Sequence, residues 1–171
     1  MTINRLPEND ASLLAECDVD TYRASGPGGQ KRNKTDSAVR LRHKPTGLII
    51  IAVESRSQAE NKARAVKRLR KALALRLRQP TESEGVSPAV QAALDKRGRL
   101  GSIGQRDMRY LPAAAAVLDA FAAEQASVSL TAKRLGLTTG NLSSFLTNDE
   151  DLMVEANRLR ATFGLKPLRR N

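Results

Sequence analysis

The stretch SAVRLRHKPTGLIIIAVE runs from Ser37 to Glu54. Val39, Leu41 and His43 alternate with Ala38, Arg40 and Arg42. That period of two marks a half-buried strand with one basic face. Lys44-Pro45-Thr46-Gly47 follows, and Pro beside Gly sets a tight turn. Leu48 to Glu54 is rich in β-branched residues, so the whole stretch predicts a β-hairpin. Upstream, Val19 to Ala24 (VDTYRA) adds further β-type residues.

Downstream, Ser57 and Glu60 stand three apart before a long periodic run, the spacing of a capping box. Ala59, Ala63, Val66, Leu73 and Leu77 recur at helical spacing, while Lys62, Arg64, Lys67, Arg68, Lys71 and Arg78 fill the other faces. This predicts a helix over about 57–79, ended with the help of Pro80 and packed by its apolar stripe on the sheet. The fold class expected is therefore α+β for residues 1–80: a small antiparallel sheet packed by a long helix.

Residues 81–105 open with TESEGVSP (Thr81 to Pro88) and read as a linker. Residues 106–171 read as an all-α module. Ala113 to Gln125 is alanine-rich, and 127–137, 139–146 and 149–163 read as three short helices. LTAKRLGLTTGNLSSFL within them has the outline of a helix-turn-helix. Any tight pair of packed helices also gives that outline. The tail RLRATFGLKPLRRN carries Arg158, Arg160, Lys166, Arg169 and Arg170 and no acid. It reads either as a frayed, solvated end or as a cationic contact.

The chain's formal net charge of +11 points to a polyanionic partner. The charge has an address: Arg23 to Arg78 holds 16 Lys/Arg against 3 Asp/Glu. Cys17 is the only cysteine and His43 the only histidine, so an internal disulfide and a Cys/His zinc site are excluded; no metal or cofactor is expected. Cys17 reads as a small apolar filler. No stretch has the length of a membrane span, and the first residues lack a secretory or transit pattern, so cytoplasmic residence is expected.

The chemistry concentrates in SGPGGQKRNKT, Ser25 to Thr35. Gly26, Gly28 and Gly29 allow backbone angles closed to other residues and let another molecule approach the main chain. Exposed N–H groups aimed at developing negative charge are a strong catalytic device that needs no titratable side chain. The chain offers no Ser/His/Asp set, no Cys/His pair and no convincing carboxylate dyad. Any catalysis must work by positioning and backbone dipoles. A lone Gly-Gly-Gln is equally a flexible surface loop, and it is no dinucleotide fingerprint.

The surrounding order decides more. Ser-Gly-Pro-Gly-Gly-Gln, then Asn and Lys, Ala-Val-Arg-Leu, Pro-Thr-Gly, and Arg-Ser-Gln with Asn-Lys opening a helix, occur here from about Thr21 to Leu77. That series resembles the catalytic domain of class I peptide chain release factors. The resemblance implies a projecting Gly-Gly-Gln loop that enters the ribosomal peptidyl transferase centre and promotes attack of water on the peptidyl-tRNA ester. Gly28 and Gly29 would shape the loop. The Gln30 N–H would stabilise the transition state, and its side chain would restrict the nucleophile to water. Gln30 is also an expected site of N-methylation. Arg23, Ser25, Lys31, Arg32, Asn33, Lys34, Arg40, Arg42, Lys44 and Arg56 would contact ribosomal RNA, as would the tail residues Arg158, Arg160, Lys166, Arg169 and Arg170. Lys31-Arg32 departs from the His-Val that release factors commonly carry after the glutamine. The helical second half does not resemble a codon-reading domain. The expectation is thus a codon-independent, ribosome-rescue peptidyl-tRNA hydrolase, monomeric off the ribosome. A non-catalytic ribosomal RNA binder and a helix-turn-helix DNA regulator are the alternatives.

Overall fold

A computed structural model of the chain describes residues 5–23, 36–80, 86–101 and 103–170. The chain divides into two compact units, Met1–Leu73 and Ala74–Asn171.

In the first unit, α1 (Asp10–Ala15) precedes β1 (Cys17–Tyr22), β2 (Ala38–His43) and β3 (Ile49–Ala52), and α2 (Gln58–Arg76) follows. Asn9 caps α1 through a reciprocal box with Ser12. The strands form one antiparallel sheet in the order β1-β2-β3. Val19 faces Leu41, which faces Ile50; Thr21 faces Val39, which faces Ala52. As the alternation predicts, Val39, Leu41 and His43 are buried while Arg40 and Arg42 are exposed. The turn closes at Gly47, whose φ is +70° and whose N–H donates to the His43 carbonyl at 2.8 Å. A side chain at that φ would be strained.

The Arg40/Arg42 face is in water, and on the other face Val39, Leu41 and His43 of β2 are buried while Val19 and Thr21 of β1 stay exposed. α2 ties itself to the strands through Asn61, whose Nδ2 donates to the Ser37 carbonyl, and Arg68, whose Nη1 donates to the Ile51 carbonyl. Its buried residues are Asn61, Ala65, Val66, Leu69, Leu73, Ala74 and Leu75; Ala59 and Ala63, expected in the stripe, are exposed. Alanine adds little apolar area and favours helix on any face, so it marks a buried stripe poorly. Ser57 Oγ accepts from the Glu60 N–H at 3.3 Å, half of the expected capping box. His43 is fully buried, with Nδ1 2.8 Å from Thr46 Oγ1 and Nε2 3.0 Å from Glu16 Oε2. Buried Cys17 donates to the Leu13 carbonyl at 3.1 Å. Burial first, then the Glu16 charge, raises its thiol above the ordinary range.

The second unit is helical: α3 (Pro88–Ala93), α4 (Tyr110–Ala123), α5 (Val128–Arg134), α6 (Thr139–Asn148) and α7 (Glu150–Thr162). Its core joins Val90, Leu100, Val117, Leu118, Phe121, Leu142, Leu146, Leu152 and Ala156. Residues 86–101, expected as linker, therefore belong to a packed body. The reason is local. Ser87 Oγ accepts from the Val90 N–H, and Pro88 occupies the first helical turn, so Ser-Pro starts a helix here. Asn141 on α6 then clamps the following loop: Leu100 N–H donates to its Oδ1 at 2.9 Å, and its Nδ2 donates back to the Leu100 carbonyl.

α5, a turn with Gly136 at φ +65°, and α6 form the helix-turn-helix outline. Tyr110 packs against Phe145, ring centroids 6.0 Å apart. Burial first and the Asp149 carboxylate second push its phenol far above the usual range. Among the described residues no helix is long and apolar enough to cross a membrane.

α4 ends in two consecutive left-handed residues, Gln125 at φ 51° and Ala126 at φ 57°, neither of them glycine. Gln125→Gly removes the steric cost at an exposed position and should raise stability by about 0.5–1 kcal/mol. Urea unfolding measures it; an unchanged or lowered midpoint contradicts the strain.

Candidate functional site

The Gly-Gly-Gln segment connects β1 to β2. Ser25, Gly28, Gly29, Gln30, Lys31, Arg32, Asn33 and Lys34, with the expectation of a projecting loop, lie outside the described residues. Its root lies within them. Tyr22 pairs with Ala38 as the last rung of the β1-β2 ladder, and Arg23 Nε lies 3.1 Å from Asp36 Oδ1. Both side chains of that ion pair are more than half exposed, and such a pair contributes only about 0–1 kcal/mol.

The firmer anchor is Asn61. It is fully buried in the first turn of α2. Its Nδ2 donates to the Ser37 carbonyl at 2.6 Å and the Ser55 carbonyl at 2.8 Å, while its Oδ1 accepts from the Ser55 N–H at 2.9 Å. One amide thus joins the residue preceding β2 to the approach of α2. Sequence reading noted Asn-Lys at the helix start but gave the asparagine no role. The available signal was a polar residue in register with Ala65, Leu69 and Leu73, each four apart.

The structure separates the expected RNA contacts of this unit. Arg23 stands at the root. Arg56 adjoins Ser55, which Asn61 ties to Ser37, so it too belongs to the root. Arg40 lies on the exposed face of β2 but is engaged by Asp20, with Nε and Nη2 at 3.0 and 2.8 Å from Oδ2. Arg42 follows on the same face, and Lys44 lies beyond the strand's other end. Six residues of β2, about 20 Å at strand rise, separate Lys44 from the root. Arg42, Lys44 and Arg56 have no carboxylate partner among the described residues, so their charge is available to a polyanion. Arg68 is held by Glu54, whose carboxyl is kept below its ordinary range mainly by that hydrogen bond.

The tail cations sit in the second unit. Arg158 pairs with buried Glu155. Arg160 donates to the Lys166 and Ala126 carbonyls, and Arg170 to the Thr147 and Asn148 carbonyls. The tail is hydrogen-bonded onto its own helices through residue 170, so the frayed-end expectation is corrected. Lys166 and Arg169 remain exposed.

A family model described as RF-1 domain matches residues 13–109, more than half of the chain. The chain belongs to the RF-1 domain family. The match runs past Leu77, where the sequence resemblance stopped, through α3 and the loop that Asn141 clamps. Relatives named peptide chain release factor 1 agree. The protein of Clostridium botulinum is 38% identical over 138 residues, 81% of this chain and 34% of its own length. That of Leptothrix cholodnii is 50% identical over 93 residues, 54% of this chain and 23% of its own. That of Albidiferax ferrireducens is 38% identical over 160 residues, 91% of this chain and 39% of its own. Likeness therefore reaches into the helical unit, and the chain spans about a third of the length of such relatives.

Asn61→Ala leaves the Ser37 and Ser55 backbone groups without their partner. It should cost about 2–3 kcal/mol, because buried polar groups lose their hydrogen bonds without regaining water. Denaturant titration checks this; a loss below 0.5 kcal/mol removes Asn61 from the role of anchor (about the scatter expected of ordinary surface changes).

Proposed function

We propose that this protein hydrolyses the ester of peptidyl-tRNA on the ribosome. What carries the reading is the Gly28-Gly29-Gln30 motif, set between two paired strands in a chain of the RF-1 domain family. On the family likeness, the two glycines let the backbone adopt the required path and approach the substrate. The Gln30 N–H donates to the oxygen that gains charge as water attacks, and the Gln30 side chain orders that water. N-methylation of Gln30 belongs to the same reading. The rate arises from positioning and fixed dipoles, which suits a motif with no acid or base of its own.

The residues around the motif fit that division of labour. Arg23 and Arg56 at the root, with Arg42 on the exposed strand face, give a cationic approach to ribosomal RNA, and Lys31, Arg32 and Lys34 add charge in the motif itself. In this reading residues 1–80 act as the catalytic part. The protein works as a cytoplasmic monomer without a cofactor.

The finer reading is release on stalled ribosomes without a stop codon. It is supported by the second unit, which is all-helical among its described residues.

Peptide release from ribosomes stalled on truncated mRNA tests both levels. Gly29→Ala and Gln30→Ala should each slow release by at least about a hundredfold, the scale of losing an aimed oxyanion donor. Full activity in both variants overturns the assignment of chemistry to the motif. Wild-type release that strictly requires a stop codon overturns the codon-independent reading alone.

A further inference from the structure

The second unit holds a groove to which the reading above assigns no part. α6, the second helix of the helix-turn-helix outline, forms one wall, and the C-terminal tail forms the other. The space is about 620 Å³. Thr139, Gly140, Ser143, Ser144 and Asn148 line it from the helix, and Arg169 and Arg170 line it from the tail. Among the described residues no carboxylate lines it, and Val128 is its one branched apolar side chain.

The second wall is fixed by the fold. Leu168 N–H donates to Asn157 Oδ1 at 2.6 Å, and Asn157 Nδ2 donates to the Leu168 carbonyl at 3.2 Å. Arg170 Nε donates to the Thr147 carbonyl at 2.8 Å, satisfying an acceptor that the end of α6 leaves open. Arg169 is thereby carried to the rim. It is exposed and has no carboxylate partner among the described residues. The hydroxyls of Ser143 and Ser144 make no hydrogen bond among those residues either. At Gly140 an added Cβ would meet nothing within 4 Å, so the helix backbone is open to a close approach.

Short hydroxyls, an amide, an accessible backbone and a free guanidinium are the groups that bind phosphate oxygens without reading sequence. A small apolar ligand would need hydrophobic walls that this groove lacks. Most of the lining is exposed, so a long molecule can lie along it. We propose that the groove holds the phosphate backbone of RNA, at a place separate from the Gly-Gly-Gln motif. The choice of RNA among polyanions rests on the ribosomal reading above.

The test uses the full chain and a fluorescein-labelled RNA hairpin, with the DNA hairpin of the same sequence and polyglutamate as competitors. Ser144→Glu places a carboxylate in the groove at an exposed position and should weaken RNA binding about tenfold or more, the cost of setting like charges together. Arg169→Ala should lower the slope of log affinity against log salt by about 1, the change expected when one phosphate is no longer neutralised. Circular dichroism verifies the fold of each variant. Wild-type affinity and slope in both folded variants overturns the proposal, and so does DNA or polyglutamate binding as tightly as RNA. The titration contains no peptidyl-tRNA, so its outcome is independent of whether the protein hydrolyses that ester.

Discussion

The Asn61 amide is the constraint on which the loop-bearing unit depends. A backbone hydrogen bond can tie strand to strand or turn to turn of helix, but the residue before β2 and the approach to α2 belong to neither ladder. A buried side chain with two donors and an acceptor fills that gap, reaching Ser37 across 24 positions of sequence. Each such bond contributes about 1 kcal/mol net, yet leaving its buried partners unmatched costs more than that. The asymmetry makes the junction all-or-none. The exposed Arg23–Asp36 pair on the other side of the root is too weak to substitute. The position of Ser37, where the chain enters β2, is therefore set by a helix residue and not by the exposed Arg23–Asp36 pair.

Charge divides into two kinds. Some cations are consumed by the fold: Arg40 by Asp20, Arg70 by Asp10, Arg78 by Asp119, Arg134 by Glu124, Arg158 by Glu155. Others, such as Arg42, Lys44 and Arg169, face water without a carboxylate partner among the described residues. Counting from sequence cannot separate the two, because the partners are mostly remote. It also misplaces the total. Divided at the observed boundary, Ala74–Asn171 holds 14 Lys/Arg against 10 Asp/Glu. The second unit is itself basic, although the densest cationic run lies in the first half of the chain.

The parts of the fold that were legible are those whose signal is local. The hairpin showed in the alternation of Val39, Leu41 and His43 with two arginines and in the Pro-Thr-Gly turn. α6 and α7 showed as the helical stretches 139–146 and 149–163; the structure caps them with Thr138 and Asp149. What was missed has partners far away or a double meaning. Ser87-Pro88 serves as a linker signal or a helix start, and only Val90 and Ala93 reaching a core decides. Ala59 and Ala63 match helical spacing without being buried, while Asn61 is buried against its polarity. The tail arginines read as ligands for an outside anion, yet three of them are held within the fold, two by backbone carbonyls and Arg158 by Glu155. Of the Gly-Gly-Gln motif itself, composition and order were legible, and the chemistry proposed for it rests on them and on the family likeness.

A motif without titratable groups places an unusual demand on the rest of its chain. Acid–base catalysis can speed a reaction once substrate is near; aimed amides act only while the ester is held in register with them. The energy that holds it must come from contacts with non-reacting parts of the complex. Phosphate contacts suit that task, since they fix orientation along a backbone without selecting sequence. A single cationic patch leaves rotation about itself free. Two patches on separate compact units remove that freedom, and the second then binds at the high effective concentration created by the first. In the proposed reading the α6 groove would serve hydrolysis by converting charge attraction into orientation, the one quantity the glycines and glutamine cannot supply for themselves.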